Sequence, residues 1–200
     1  MTVTERRQGS MDRRDVAAAM MKGRGDALIV TGLGSTCYDF GTQDHPNTFY
    51  LWGGMGAAAM LGLGLALAQP TRRVVVVTGD GEMLMGFGAF ATIGAKAPKN
   101  FSLVVIDNEH YSETGMQPTH TRRGIDLEGV AKACNFGSAE TIYTEAELAK
   151  TIPEIFAGTG LLFRDIKVNT KRYPMSSRLR DGSHIKNRFR ERLLGPKAFD

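Results

Sequence analysis

A three-layer α/β/α domain with a mainly parallel sheet is the fold that this sequence predicts, and three observations carry it. Short runs of continuous Val, Ile and Leu, such as RVVVVT at 73–78 and SLVVID at 102–107, are apolar on both faces. Strands of that kind belong to parallel sheets covered on both sides. The runs alternate with longer stretches of helical period, the pattern of an α/β domain. Their C-terminal ends fall at 32–35, 53–56, 79–82 and 108–115, all rich in glycine or polar residues, where ligands collect in such sheets.

Taken in order, Asp12 can cap a helix that runs to Lys22 and stops at Gly23. ALIVT at 27–31 reads as a buried strand, followed by the turn GLGS and a short helix. TFYLW at 48–52 is strand-like and leads into a small-residue helix over 54–69. The strand at 73–78 precedes a helix over 84–96, closed by Pro98. After the strand at 102–107 comes a long polar loop. Helices over 127–134 and 145–156 and a last strand over 161–168 complete the domain.

The 200 residues, 42% hydrophobic and 23% charged, have the profile of one globular domain. It spans 1–170, with a short polar N-terminal tail that carries no apolar signal-like stretch. The most apolar segment, 55–68, is shorter than the roughly 20 residues a transmembrane helix needs, which argues against a membrane. Cys37 and Cys134 follow no disulfide pattern and suggest a reducing cytoplasm. Residues 171–200 hold nine Lys/Arg against three Asp/Glu, a net of +6, which leaves −2 for the rest of a chain whose total is +4. That extension also carries Tyr173, Ile185, Phe189, Leu193 and Leu194 at roughly helical spacing. The expectation is a segment docking on a partner subunit rather than an arm for nucleic acid.

The chemistry centres on two strand ends. Gly79-Asp80-Gly81 follows VVVVT, so the backbone can turn sharply and approach a ligand closely. Amides opening the next helix can receive phosphate oxygens, and Asp80 is a hard oxygen donor suited to Mg²⁺. Alone, this could equally be a tight turn with a capping Asp. Asn108 ends the following strand, 28 positions after Asp80, so one helix and one strand bring the two ends side by side. A carboxylate, an Asn carbonyl, a main-chain carbonyl and two diphosphate oxygens, completed by water, would give Mg²⁺ its octahedron.

G79-D80-G81 followed by D107-N108 resembles the GDG…NN motif of thiamine-diphosphate enzymes, with Asp in place of the first Asn. The stretch from GDGEMLMGFGAFATIGAKAPKN to FSLVVIDNEHYSETG resembles the 2-oxo acid decarboxylases of this family that act on sulfopyruvate and phosphonopyruvate. The likeness runs from about residue 27 to 168 and implies the thiamine-diphosphate-binding fold, specifically its diphosphate-binding domain. It implies that Asp80, the Asn108 side chain and the His110 main-chain carbonyl hold Mg²⁺. It also implies that Met55, in WGGMG, wedges beneath thiamine diphosphate, with the Gly53 carbonyl accepting from its 4′-amino group. Gly34 and Ser35 would contact the diphosphate, and Gly79, Gly81 and Glu82 belong to the cofactor-binding turn.

EHYSETG is then the lip of the site, where His110, Tyr111 and Glu113 are candidates to face substrate. Glu113 is the candidate to return a proton after CO₂ leaves. His120, Arg122 and Arg123 could meet an anionic substrate tail or simply be solvated. Two departures stand out: Glu82, where a small residue is usual and whose carboxylate should turn from diphosphate or meet a cation, and Ser112 in place of a lip glycine. The family activates its cofactor with a Glu from a pyrimidine-binding domain, and one α/β unit leaves no room for it. The resemblance therefore implies a heteromer, α2β2 or larger, with a separate α subunit donating that Glu and a small anionic 2-oxo acid as substrate. A carboligase outcome and a non-catalytic subunit stay open. So does a nicotinamide dehydrogenase, since Gly54–Ala59 (GMGAAA) fits GxGxxA.

Overall fold

The computed structural model describes residues 9–174 and 181–199. The start of the polar tail and positions 175–180 of the basic extension lie outside them. Its strands are β1 (Leu28–Thr31), β2 (Thr48–Tyr50), β3 (Val74–Gly79), β4 (Phe101–Asp107), a hairpin of β5 (His110–Tyr111) and β6 (Gln117–Pro118), β7 (Ser138–Ile142) and β8 (Leu162–Lys167). All but the hairpin form one parallel sheet in the order β2-β1-β3-β4-β8-β7. The helices are α1 (Arg13–Gly23), α2 (Ser35–Gly41), α3 (Ala58–Ala68), α4 (Asp80–Met85), α5 (Ala89–Lys96), α6 (Leu127–Ala133), α7 (Glu145–Ala157) and α8 (Gly182–Leu194).

Alternate strand residues feed two cores, as a pleated sheet requires. Ile29, Val75, Val77 and Val104 pack with Val16 and Met20 of α1 and Ile155 and Phe156 of α7. Leu28, Val74, Val76 and Leu103 pack on the other face with Leu63 of α3, Ile93 of α5 and Ala131 of α6. The predicted three layers are therefore present. No helix among the described residues is long and apolar enough to cross a membrane.

Three local differences from the sequence reading have physical reasons. The helix expected over 54–69 begins only at Ala58, because Gly56 takes a left-handed φ of 82° in the preceding turn. The helix expected over 84–96 is two, α4 and α5, broken at 86–88. Gly86 sits so close to this turn that an added Cβ would lie 2.4 Å from the Gly56 carbonyl oxygen, an approach only glycine allows. Strand β7 was not foreseen, since SAETI lacks the continuous apolar run of the central strands. It is an outer strand whose Ala139 and Ile142 are buried while Glu140 is exposed.

Helix α8, capped by the Asp181 carboxylate at the amides of Ser183 (2.8 Å) and His184 (3.1 Å), lies against β2. Ile185 and Phe189 are buried there, with the Phe189 ring edge-on to Phe49 at 5.5 Å. Arg188 pairs with Asp44 at 2.6 Å, and Arg192 Nε donates to Asn47 at 2.8 Å. The apolar stripe of the basic extension thus rests on its own domain, leaving Lys186 and Arg190 outward.

Candidate active site at the strand ends

Pairing of Gly79 with Ile106 across β3 and β4 sends Asp80 and Asn108 off adjacent strand ends. Asp80 opens α4 and is buried, its carboxylate accepting a hydrogen bond of 2.6 Å from the Thr119 hydroxyl. The Tyr111 ring lies over Gly81, where a Cβ would fall 2.6 Å from its edge. Asn108 is fixed by three contacts. Its Oδ1 accepts from the His110 amide (3.0 Å), its Nδ2 donates to Ser112 (3.1 Å), and its main-chain oxygen is 2.8 Å from His110 Nδ1. Ser112, one of the two departures, is thus a tether for the Asn side chain. The turn relies on Glu109 at φ 62°, a conformation costing a non-glycine residue about 1–2 kcal/mol. Tertiary bonds hold it there: its carbonyl accepts from Thr119 N (2.9 Å) and its carboxylate from Arg122 (3.1 Å).

Behind this turn lies a buried ionic network. Lys167 is buried, with Nζ 2.5 Å from Asp107, 3.4 Å from Asp165 and 3.7 Å from Glu109. Asp107 also accepts from the Glu109 amide (2.7 Å) and the Thr121 hydroxyl (3.0 Å), and Thr121 Oγ1 is 2.9 Å from Thr119 Oγ1. A continuous chain of bonds therefore joins Lys167 to Asp80. Burial, reinforced by the Asp107 charge, pushes Asp165 up to about 8. Burial would lower Lys167, but Asp165 and Asp107 raise it overall. Burial and then Asp107 push Asp80 well above the usual carboxylate range, the position of a carboxylate that a nearby cation would return to its charged form.

The donor set suits Mg²⁺: the Asp80 carboxylate, the Asn108 amide oxygen and main-chain oxygens are all hard. No group of three His, Cys, Asp or Glu side chains among the described residues could hold a metal. A cation here would draw on few carboxylates and on ligand phosphate oxygens, as Mg²⁺ commonly does.

A cavity of about 280 Å³ opens over these residues. It brings together Gly34, Ser35, Met55, Gly79, Asp80 and Gly81 with Glu82, Asn108, His110, Tyr111 and Glu113. Gly34, at φ 70°, precedes the first residue of α2. A Cβ on it would lie 3.1 Å from the Glu113 carboxylate, which puts that lip glutamate against the GLGS turn. Met55 lines the cavity and is 42% exposed, while Trp52, Met85 and Phe87, exposed as well, lie outside the cavity lining. Gly53 is exposed and does not line the cavity.

One oxygen of the Glu82 carboxylate is held at the turn after β1, accepting from the Leu33 amide (3.0 Å) and the Thr78 hydroxyl (2.8 Å). Burial raises the Glu82 pKa; the Thr78 hydroxyl and the amides of Leu33, Ala58 and Gly56 oppose that rise. His120, Arg122 and Arg123 do not line the cavity; Arg122 is engaged by Glu109. Sequence reasoning missed Arg13, which is buried at the cavity wall, and the Thr119, Thr121 and Lys167 network.

The family profile described as "Thiamine pyrophosphate enzyme, C-terminal TPP binding domain" matches residues 31–166, and the chain belongs to this family. It is 40% identical over 136 residues to the sulfopyruvate decarboxylase subunit beta of Methanocaldococcus jannaschii, covering 67% of this chain and 70% of that one. It is 33% identical over 151 residues to the same subunit of Methanococcus maripaludis, covering 75% and 80%. Phosphonopyruvate decarboxylase of Streptomyces viridochromogenes is 39% identical over 136 residues, 68% of this chain but 34% of that protein. The fold matches the solved thiamine diphosphate-dependent 4-hydroxybenzoylformate decarboxylase of Rhodococcus jostii RHA1 with a TM-score of 0.69 at 19% identity, over 86% of this chain and 35% of that one.

Proposed function

We propose that this chain is the β subunit of a heteromeric, thiamine-diphosphate- and Mg²⁺-dependent decarboxylase of a small anionic 2-oxo acid of the sulfopyruvate or phosphonopyruvate kind. The observation that carries it is the convergence of the GLGS turn, Met55, the GDG turn, Asn108 and the EHYSETG lip on one cavity. When bound, thiamine diphosphate supplies an electron sink for the bond that releases CO₂.

This chain's residues bind and orient. Asp80, Asn108 and the His110 carbonyl would hold Mg²⁺, and Gly34, Ser35, Gly79 and Gly81 would receive the diphosphate. Met55 would support the cofactor's bend, with the Gly53 carbonyl as a hydrogen-bond acceptor beside it. Glu113 stands on the lip as the proton donor of the decarboxylation, with His110 and Tyr111 facing the substrate. Were an aldehyde to take the place of that proton, the same site would act as a carboligase.

The α subunit would supply the activating Glu. Two observations support it: the relatives named as β subunits and the exposed large apolar side chains of Trp52, Met55, Met85 and Phe87. The outward basic residues of α8 offer such a partner a second contact. The test is co-purification of the partner followed by a screen of 2-oxo acids for CO₂ release. Release that needs both chains and Mg²⁺ is the expected result; robust release by this chain alone would overturn the heteromer.

A further inference from the structure

A second cleft, of about 320 Å³, adjoins the cavity and shares Arg13, Ser35, Asn108, Ser112 and Glu113 with it. Its far wall is the segment leaving β8, with Lys171, Arg172 and Tyr173. Arg13 is 7% exposed and fixed in place by an ion pair with Asp39 and by the Tyr173 ring, whose centroid lies 5.1 Å from its guanidinium carbon. Arg14 shares Asp39 (3.2 Å) and donates to the Pro174 carbonyl (2.9 Å), which binds the segment to α1. Lys171 and the Tyr173 hydroxyl both engage Asp12. Four cations, Arg13, Arg14, Lys171 and Arg172, thus face two balancing carboxylates, Asp12 and Asp39. No carboxylate among the described residues pairs with Arg172. Glu113 is the one acid on the cleft wall, and it leans toward Gly34.

We infer that this cleft is an anion subsite: a group of the phosphate, phosphonate or sulfonate class, entering past Ser35 and Asn108, is held between Arg13 and Arg172. A fixed, stacked guanidinium and an exposed one on the same cleft favour a tetrahedral dianion, because planar donor forks can each engage two of its oxygens. Two sources share that chemistry, the terminal phosphate of thiamine diphosphate and the acidic tail of the 2-oxo acid. The second source rests on the decarboxylase reading; the subsite itself does not.

The experiment is calorimetric titration of the full chain with Mg²⁺, using phosphonoacetate, thiamine diphosphate and thiamine as separate probes. Arg172→Ala removes an exposed side chain and leaves the fold intact, Arg13→Lys keeps the buried charge but not the fork, and Lys96→Ala controls for net charge. Loss of one charge-assisted contact predicts phosphonoacetate binding weakened about tenfold or more in Arg172→Ala and Arg13→Lys, with Lys96→Ala unchanged. Weaker thiamine diphosphate binding with unaltered thiamine binding assigns the subsite to the cofactor; unaltered thiamine diphosphate binding assigns it to the substrate tail. If both anions bind the two variants with wild-type affinity, or wild type binds neither, the subsite is overturned. If wild type fails to bind thiamine diphosphate while phosphonoacetate binding depends on Arg172, the subsite stands and the proposed cofactor reading falls.

Discussion

The two ends of the cavity are built on opposite principles. At the GDG turn, Asp80 is buried under Thr119 and joined through Thr121 and Asp107 to Lys167, so its polar groups are completed from within the chain. At the other end, Trp52, Met55, Met85 and Phe87 stand 40–66% exposed around the turn at Gly56. A soluble surface rarely gathers large apolar side chains without something to cover them. The difference teaches that this chain prebuilds the ionic half of a site and presents the apolar half as unfinished surface.

That contrast can be broken at its most buried point first. Lys167→Met would leave Asp107 and Asp165 without their cation, at a cost of about 3–5 kcal/mol, read by urea unfolding. A loss below 1 kcal/mol would mean the network is not what closes this end. The same network sets a pH signature. Asp165 has a folded pKa raised to about 8 from 3.8, so between those values the folded state holds a proton that the unfolded state has lost. Its stabilising share is therefore full below about pH 4 and falls as pH rises to about 8. Asp165→Asn should flatten unfolding free energy across that window, and an unchanged slope would contradict the assignment.

Asp80→Ala tests the ionic end's purpose. Mg²⁺-dependent thiamine diphosphate binding should weaken about 100-fold or more, the loss expected of a direct charged ligand; calorimetry showing unchanged affinity would refute the cofactor reading. At the open end, Gly86→Ala drives a Cβ toward the Gly56 carbonyl oxygen and should cost about 1–3 kcal/mol in thermal unfolding. Met55→Ala should show the smallest change in folding, within about 0.5 kcal/mol for an exposed side chain, while lowering cofactor affinity. A large stability loss with normal affinity would make Met55 a packing residue and erase the distinction between the two ends.

The central sheet was readable because Val74–Gly79 and Phe101–Asp107 are buried on both faces, which forces continuous apolar sequence. The Asp80–Asn108 pair was readable for the same reason: the two residues stand where those runs stop. Strand β7 was not, because an outer strand needs only every other residue apolar. Lys167 left a signal that went unused, since RDIK places charges inside an otherwise apolar strand and such charges must find partners. Thr119, Thr121 and Arg13 left none: no local spacing links Arg13 to Asp39, 26 positions away, or Thr119 to Asp80, 39 positions away. Only the closed fold brings them together. Arg122, open in the sequence between a substrate contact and solvation, keeps a side chain 45% exposed while it pairs with Glu109.

Trp52 is the chain's one tryptophan, and it is exposed three positions before Met55. The protein therefore carries an optical reporter that views only the unfinished half of its site. Covering that half should shift its emission to the blue, whereas events confined to the ionic turn should leave the indole dark to them.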